Sequence, residues 1–212
     1  MVMKNKSTYI MLGLGILSQV VTFVLTGDAW ISFISGIAGV FSVVFCSERR
    51  ISYYIWSFIQ IITFSIICIQ ENLYGKFFEN IFYTITLFVG IWVWLKNKDN
   101  DNKVKTRSLS TVNMWLCIIF CGLLACLLYV ILSIANDASP ILDAASTSLA
   151  ILAQILMVLR YKENWNVWML VNALCIFLFI KTGNWCMVAQ YIFWLINTIY
   201  GYEIWSRYEE KS

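Results

Sequence analysis

Two tryptophans and an asparagine lie on one face of a predicted helix, close to its start. Trp165, Trp168 and Asn172 stand at positions i, i+3 and i+7, so on an α-helix their side chains project within about 60° of one another. An aromatic ring gives a planar molecule a surface on which to stack, and a carboxamide offers both a hydrogen-bond donor and an acceptor. The spacing therefore predicts a binding surface for a planar, partly polar small molecule.

The composition of the whole chain is that of an integral membrane protein. Of 212 residues, 60% are hydrophobic and 13% are charged, and the mean hydropathy is +0.75. The backbone amides of a lipid-exposed segment must bond within that segment, so we predict an all-α fold of eight transmembrane helices. The eight apolar runs lie at about 8–26, 29–47, 51–70, 77–95, 111–134, 141–159, 165–180 and 184–205.

The chain contains two similar stretches. Residues 27–94 can be aligned with residues 138–205 at a shift of about 111 positions, and such self-similarity is typical of a duplicated structural unit. The alternative is chance similarity among aromatic-rich helices. The aligned pairs are Gly90 with Gly201, Trp94 with Trp205, Arg49 with Arg160 and, if one inserted residue is allowed, Trp56 with Trp168 and Gln60 with Asn172.

Each similar stretch holds three spans, and one span lies between them. An odd number of spans per unit, with a single linker helix, predicts two parallel three-helix repeats (3+1+3), and duplicated membrane proteins commonly bind substrate where the repeats meet. The polar loop 97–107 is predicted to be a flexible tether. The predicted segments are an extra N-terminal helix (1–26), the first repeat (27–96), a cytoplasmic loop with the linker helix (97–137), the second repeat (138–206) and a cytoplasmic tail (207–212).

The distribution of basic residues predicts the orientation. With a cytoplasmic N-terminus, thirteen of the 15 lysines and arginines lie inside, and only Lys76 and Lys181 lie outside. Such a bias predicts that both termini are cytoplasmic. The net charge of +3 therefore reflects orientation and does not indicate nucleic-acid binding.

Polar side chains inside spans are costly in hydrocarbon, so their positions indicate function. The alternative is that single amides and hydroxyls only join helix to helix. Polar side chains recur at similar places in both similar stretches, and this recurrence favours a substrate site near the midplane of the membrane. The predicted substrate-binding residues are Trp165, Trp168, Asn172, Gln60, Asn80, Tyr83, Trp194 and Asn197.

Several kinds of site are absent from the sequence. No acidic residue lies deep within a span, which favours downhill transport without a coupled ion. No basic cluster capable of holding a phosphate lies near the midplane, so we expect a neutral or weakly cationic, unphosphorylated cargo. Catalytic residues, a metal site and a cofactor are not expected, because the chain has no histidine and no paired nucleophile and base. Its seven cysteines are interpreted as structural thiols.

The segment Arg160-Tyr-Lys-Glu-Asn-Trp-x-x-Trp168, followed by Asn172 and the ending Gly201–Trp205, resembles the Pnu family of bacterial vitamin transporters. The similarity is greatest to those members that carry nicotinamide riboside. It implies a SWEET-like fold in the bacterial inner membrane and facilitated diffusion by alternating access. It also implies that a separate cytoplasmic kinase traps the vitamin, and it places Trp165, Trp168 and Asn172 in the substrate site.

The first stretch departs from the family pattern at Gln60, Asn80 and Leu87, which leaves the cargo open. Alternatives are thiamine or another vitamin on the same fold, a SWEET-like sugar uniporter, and a non-transporting membrane scaffold or enzyme subunit. Membrane lipids are expected partners, and a homo-oligomer, with a trimer as one candidate, is also considered.

Overall fold

A computed structural model of the protein describes residues 2–27, 29–70, 74–134, 140–182 and 185–208. Over these residues it contains eight helices and, apart from isolated bridges, no β-structure. The predicted all-α fold is thereby confirmed. The helices are α1 (Val2–Thr26), α2 (Trp30–Ser47), α3 (Tyr53–Gln70), α4 (Tyr74–Lys96), α5 (Thr111–Ile134), α6 (Pro140–Val158), α7 (Asn164–Thr182) and α8 (Trp185–Arg207).

The described helices include apolar segments of membrane-spanning length. Two shorter apolar segments, Tyr53–Ile67 and Asn164–Phe177, belong to α3 and α7. Proline at the first position of α6 is compatible with a helix start, because its missing N–H would have no partner there. The segments long and apolar enough to cross a membrane are Lys6–Thr26, Trp30–Ser47, Thr111–Ile134 and Pro140–Val158.

The chain divides into two compact units, Met1–Lys105 and Thr106–Ser212. The division falls inside the segment predicted as loop and linker helix. The predicted limit at 137 and 138 and the tail beyond Tyr208 lie outside the described residues, as do the side chains of Lys76, Lys181, Cys68 and Cys186.

In the first unit, α2 packs between α1 and α3. Glycines allow the close approach: a Cβ on Gly36 would overlap the amide of Gln19, and a Cβ on Gly39 would lie 2.9 Å from Nε2 of Gln60. Small residues at such contacts are typical of helix packing in membranes. The unit therefore holds its helices together through both glycine contacts and amide side chains.

The turn between α2 and α3 contains a buried arginine in a left-handed conformation. Arg49 has φ of 60°, and its Nη1 donates to the carbonyl of Val104 at 2.6 Å and to Asp99 at 3.3 Å. Burial lowers the pKa of Arg49, and the nearby carboxylate of Asp99 opposes that shift. A left-handed non-glycine residue is unfavourable by itself, so these bonds stabilise the turn.

In the second unit, α6 lies against both α5 and α7, and α7 lies against α8. The turn between α6 and α7 repeats the arginine geometry, because Arg160 has φ of 68°. The backbone N–H of Arg107 donates to the Arg160 carbonyl at 3.0 Å, and Thr106 Oγ1 donates to the Trp205 carbonyl at 2.7 Å. Helix α5 contributes no buried residue within this unit.

The polar loop is attached to the helices, so the prediction of a flexible tether is wrong. In the first unit, the N–H of Val104 donates to the Arg49 carbonyl at 3.0 Å and the N–H of Lys105 to the Asn97 carbonyl at 2.9 Å. In the second unit, the N–H of Lys162 donates to the Arg107 carbonyl at 2.9 Å. The loop is therefore bonded through its backbone to one turn in each unit.

The two units share a register without an insertion. Helices α3 and α7 begin at Tyr53 and Asn164, which are 111 positions apart, as are the left-handed Arg49 and Arg160. The same shift aligns Tyr54 with Trp165. The inserted residue allowed in the sequence alignment is therefore incorrect, and Ser57 and Ile61, rather than Trp56 and Gln60, correspond to Trp168 and Asn172.

Candidate functional site

Trp168 belongs to an aromatic side of the second unit, formed by α6, α7 and α8. Its ring packs against a buried cluster of Ala150, Val171 and Cys175, and Tyr191 of α8 packs against the same cluster. Tyr191 also meets Trp194 edge to face, with ring centroids 5.1 Å apart and an interplanar angle of 77°. Trp168 and Trp194 are therefore connected through Tyr191 and the cluster on which Trp168 and Tyr191 both pack, and these three rings form the aromatic side.

Asn172 lies one turn further along α7 and is 3% exposed. No hydrogen bond joins its side-chain amide to another described residue, and its amide atoms are not among the fully enclosed polar atoms that lack a partner. The amide is therefore open to a ligand that accepts from it and donates to it.

Asn197 is also buried, at 1% exposure, and stands one turn beyond Trp194 on α8. Unlike Asn172, it interacts within the protein. The two amides predicted together in the second repeat thus differ: one is engaged within the fold, and the other is left without a partner in the described structure.

Trp165 is placed differently from Trp168. Its ring meets Trp205 edge to face at 5.7 Å, and only 4% of the residue is exposed. Its buried Nε1 has no hydrogen-bond partner in the part of the chain that the structure describes. The structure does not bring Trp165 to the aromatic side of Trp168, and a substrate contact by Trp165 stays a prediction.

Gly201 makes the packing of Trp165 possible. A Cβ on Gly201 would lie 2.6 Å from Cε2 of Trp165, and in the first unit a Cβ on Gly90 would lie 2.5 Å from the hydroxyl oxygen of Tyr54. Real Cβ atoms do not approach backbone-anchored rings this closely. Both units therefore use a glycine of their last helix to seat a buried ring near the start of their third helix.

Replacing Gly201 by alanine should destabilise the protein by about 1 kcal/mol or more, because the added methyl group forces α8 away from Trp165. Thermal unfolding in detergent measures the effect. The matched control is Gly122→Ala on α5, where nothing lies within 4 Å of the added Cβ. Equal melting temperatures for the two variants would contradict this packing.

The predicted residues of the first unit lie among polar neighbours. Asn80 is 6% exposed, and its Nδ2 donates to Oγ of Ser65 at 3.3 Å. The Tyr83 hydroxyl donates to Oε1 of Glu79 at 2.6 Å. Gln60, half-buried, reaches over Gly39 of α2. The first unit therefore keeps its amides and phenol in contact with other polar groups or with glycine.

Ser65 is a polar residue that the sequence prediction missed. Its hydroxyl engages the Nδ2 of Asn80, which leaves Oδ1 of the amide as an acceptor. Two buried serines of the same unit, Ser42 and Ser57, are also hydrogen-bonded, with their oxygens 2.7 Å apart. The available signal was hydroxyl residues inside an otherwise apolar span, which sequence alone does not distinguish from packing residues.

The eight-helix membrane fold, with aromatic rings beside a buried amide, is that of a membrane transporter for a small molecule. A family model described as "Nicotinamide mononucleotide transporter" matches residues 29–207. The chain belongs to this family.

Relatives of the chain carry a more specific description. The chain is similar to the nicotinamide riboside transporter PnuC of Haemophilus influenzae, with 33% identity over 95% of this chain and 90% of the relative. Similarity to the nicotinamide riboside transporter PnuC of Neisseria mucosa is 30%, over 95% of this chain and 81% of that relative.

A solved structure has the same fold. It is described as the crystal structure of the vitamin B3 transporter PnuC. The superposition covers 94% of this chain and 88% of the PnuC chain, with a TM-score of 0.78 and 28% sequence identity. The resemblance stated from the residues of α7 and α8 is therefore confirmed, and so is the eight-helix membrane fold.

Proposed function

We propose that the protein carries nicotinamide riboside across the membrane by facilitated diffusion. The observation that carries this proposal is the buried amide of Asn172, which has no protein partner in the described structure and lies one turn from the aromatic side containing Trp168. The names of the relatives supply the cargo.

The chemistry of the two groups matches that of the cargo. Nicotinamide riboside combines a cationic pyridinium ring, a carboxamide and a ribose. A pyridinium over an aromatic ring gains about 0.5 to 2 kcal/mol from cation–π attraction, which Trp168 and Trp194 would supply. The amide of Asn172 is able to pair with a carboxamide or hydroxyl through one donor and one acceptor. These energies select an aromatic cation and still allow its release.

The absence of charge along the apolar stretches of α7 and α8 favours the riboside over its phosphorylated form. Between Trp165 and Ile180, and between Trp185 and Tyr202, the sequence has no charged residue. A phosphate that leaves water needs cationic or multiple donor partners. The mononucleotide named in the family description therefore fits these two helices less well than the nucleoside.

The same lack of charge supports movement without a coupled ion. Proton relays and ion sites in membranes use ionisable groups within the spans, and α7 and α8 offer none there. Net uptake then depends on cytoplasmic phosphorylation of the vitamin by a separate kinase. We place the protein in the bacterial inner membrane, with both termini in the cytoplasm. In this proposal it works by alternating access and forms a homo-oligomer.

The proposal is tested by uptake of labelled nicotinamide riboside into proteoliposomes without an imposed gradient. We expect saturable uptake that ends when the internal and external concentrations are equal. Excess unlabelled riboside should abolish the signal, whereas nicotinamide mononucleotide should not. Accumulation that requires a proton or sodium gradient would contradict facilitated diffusion. Competition by thiamine with no effect of the riboside would assign a different vitamin to this fold.

A further inference from the structure

A groove runs between α5 and α6 on the second unit, away from the aromatic side of α7 and α8. Its volume is about 410 Å³, which lies within the range of about 300 to 1,000 Å³ for small-molecule sites. Its lining includes, from the loop end inwards, Tyr161, Asn113, Leu159, Cys117, Leu152 and Phe120.

The groove is polar at one end and apolar along its length. Asn113 and Tyr161 lie at the end near the loops, and the rest of the lining is leucine, isoleucine, cysteine and phenylalanine. From Asn113 to Phe120 the groove follows α5 for seven residues, or about 10 Å. This length fits inside one leaflet, whose hydrocarbon depth is half of about 30 Å. The profile from polar to apolar matches that of a phospholipid.

Arg107 lies at the polar end of the groove. Its guanidinium carbon is 4.1 Å from the ring centroid of Tyr161, and its Nε donates to the Leu159 carbonyl at 3.0 Å. The cation–π contact and the hydrogen bond hold the guanidinium against two residues that line the groove. Within the described part of the chain, its two Nη groups have no acceptor, and a guanidinium fork is well suited to phosphate oxygens.

One carboxylate lies near the same end of the groove and is bonded to the backbone of the groove lining. The carboxylate nearest in sequence to the groove lining belongs to Glu163, and its Oε2 accepts the N–H of Leu109 at 3.1 Å. A second groove between α5 and α6, of about 360 Å³, includes Cys126 and Tyr129 and has no cationic residue in its lining. Arg107 is not itself in the lining of the first groove, but it contacts two residues that are, Tyr161 and Leu159.

We propose that the groove lined by α5 and α6 binds one acyl chain of an anionic phospholipid, whose phosphate is held by Arg107. Basic sites between membrane helices commonly bind anionic headgroups in this way. The groove lies outside the residues assigned to the transported vitamin, so the lipid site stands whether or not the cargo is nicotinamide riboside.

The test measures lipid binding to the purified protein by native mass spectrometry, with phosphatidylglycerol and phosphatidylcholine of identical acyl chains. Wild-type protein should bind phosphatidylglycerol more tightly. Arg107→Gln should weaken phosphatidylglycerol binding about fivefold and leave phosphatidylcholine unchanged, whereas Arg107→Lys should retain the preference. The matched control is Arg207→Gln, on an exposed arginine of α8 paired with Glu203, which should have no effect.

A second pair of variants tests the acyl chain. Cys117→Phe fills the groove and should abolish binding of both lipids at this site, whereas Cys126→Phe, in the other groove, should not alter the preference for phosphatidylglycerol. If Arg107→Gln cannot be purified, the lipid binding of Cys117→Phe and Cys126→Phe tests the proposal without it. Equal binding of the two lipids by wild-type protein, or equal effects of Arg107→Gln and Arg207→Gln, would overturn the proposal. Equal effects of the two cysteine variants would overturn it too.

Discussion

Replacing Trp168 by alanine should reduce the apparent affinity for nicotinamide riboside about tenfold to a hundredfold in proteoliposome uptake. Stacking of a base-like ring on an aromatic side chain contributes about 1 to 3 kcal/mol, and Trp168 is the α7 ring that packs on the same buried cluster as Tyr191. Trp168→Phe retains a ring and should recover most of the affinity. The measurement is KM for labelled riboside, compared with the maximal rate per folded protein.

The matched control for this prediction is Trp92→Ala. Trp92 is 60% exposed on α4 and lies under the ammonium of Lys96 at 3.7 Å, so its loss should leave KM unchanged. Because Trp168 also packs against the cluster of Ala150, Val171 and Cys175, its removal will lower stability as well. An unchanged KM for Trp168→Ala, with only a lower melting temperature, would assign the ring to packing alone.

Replacing Asn172 by leucine should separate binding from stability. Loss of two hydrogen bonds to the substrate, each worth about 1 kcal/mol net, weakens affinity about thirtyfold. The melting temperature should stay the same or rise, because leucine removes a buried amide that has no partner among the described residues. Calorimetric binding of the riboside and thermal unfolding of the free protein, in the same detergent, measure the two effects.

Asn80→Leu provides the contrast. Asn80 is similarly buried, but its amide donates to Ser65, so the same substitution should remove a bond within the fold and lower the melting temperature. If Asn172→Leu lowers stability as Asn80→Leu does and leaves affinity intact, Asn172 is a structural amide. The assignment of the substrate site to this part of α7 would then be wrong.

Helix ends and fold class follow closely from the pattern of residues. The apolar runs at about 29–47 and 111–134 agree with α2 at Trp30–Ser47 and α5 at Thr111–Ile134. This agreement has a local cause, because hydrophobic length and backbone bonding within one segment decide whether a helix crosses the membrane. The string around Trp165 and Trp168 indicated the family for a similar reason, since it is contiguous in the chain.

The alignment of the two repeats could not be settled in the same way. Trp56 and Trp168 are both tryptophans, and their identity suggested an insertion. The positions that correspond are Tyr54 and Trp165, whose residue types differ but which each pack on a glycine, Gly90 or Gly201. Structural equivalence follows packing, and packing tolerates a change of aromatic type when the space provided by the glycine is the same.

The residues alone predicted the membrane class and the number of helices. They also predicted the lack of charge along the apolar stretches of α7 and α8 and the face shared by Trp165, Trp168 and Asn172. Helical periodicity gives the direction of a side chain, but not its neighbours. The tertiary structure decided that Trp165 packs on Gly201, that Trp168 and Tyr191 pack on one buried cluster, and that Asn172 is buried. It also attached the polar loop to Arg49 and Arg160. These outcomes depend on partners 20 to 55 positions away in the chain, whose distances only the folded helices determine.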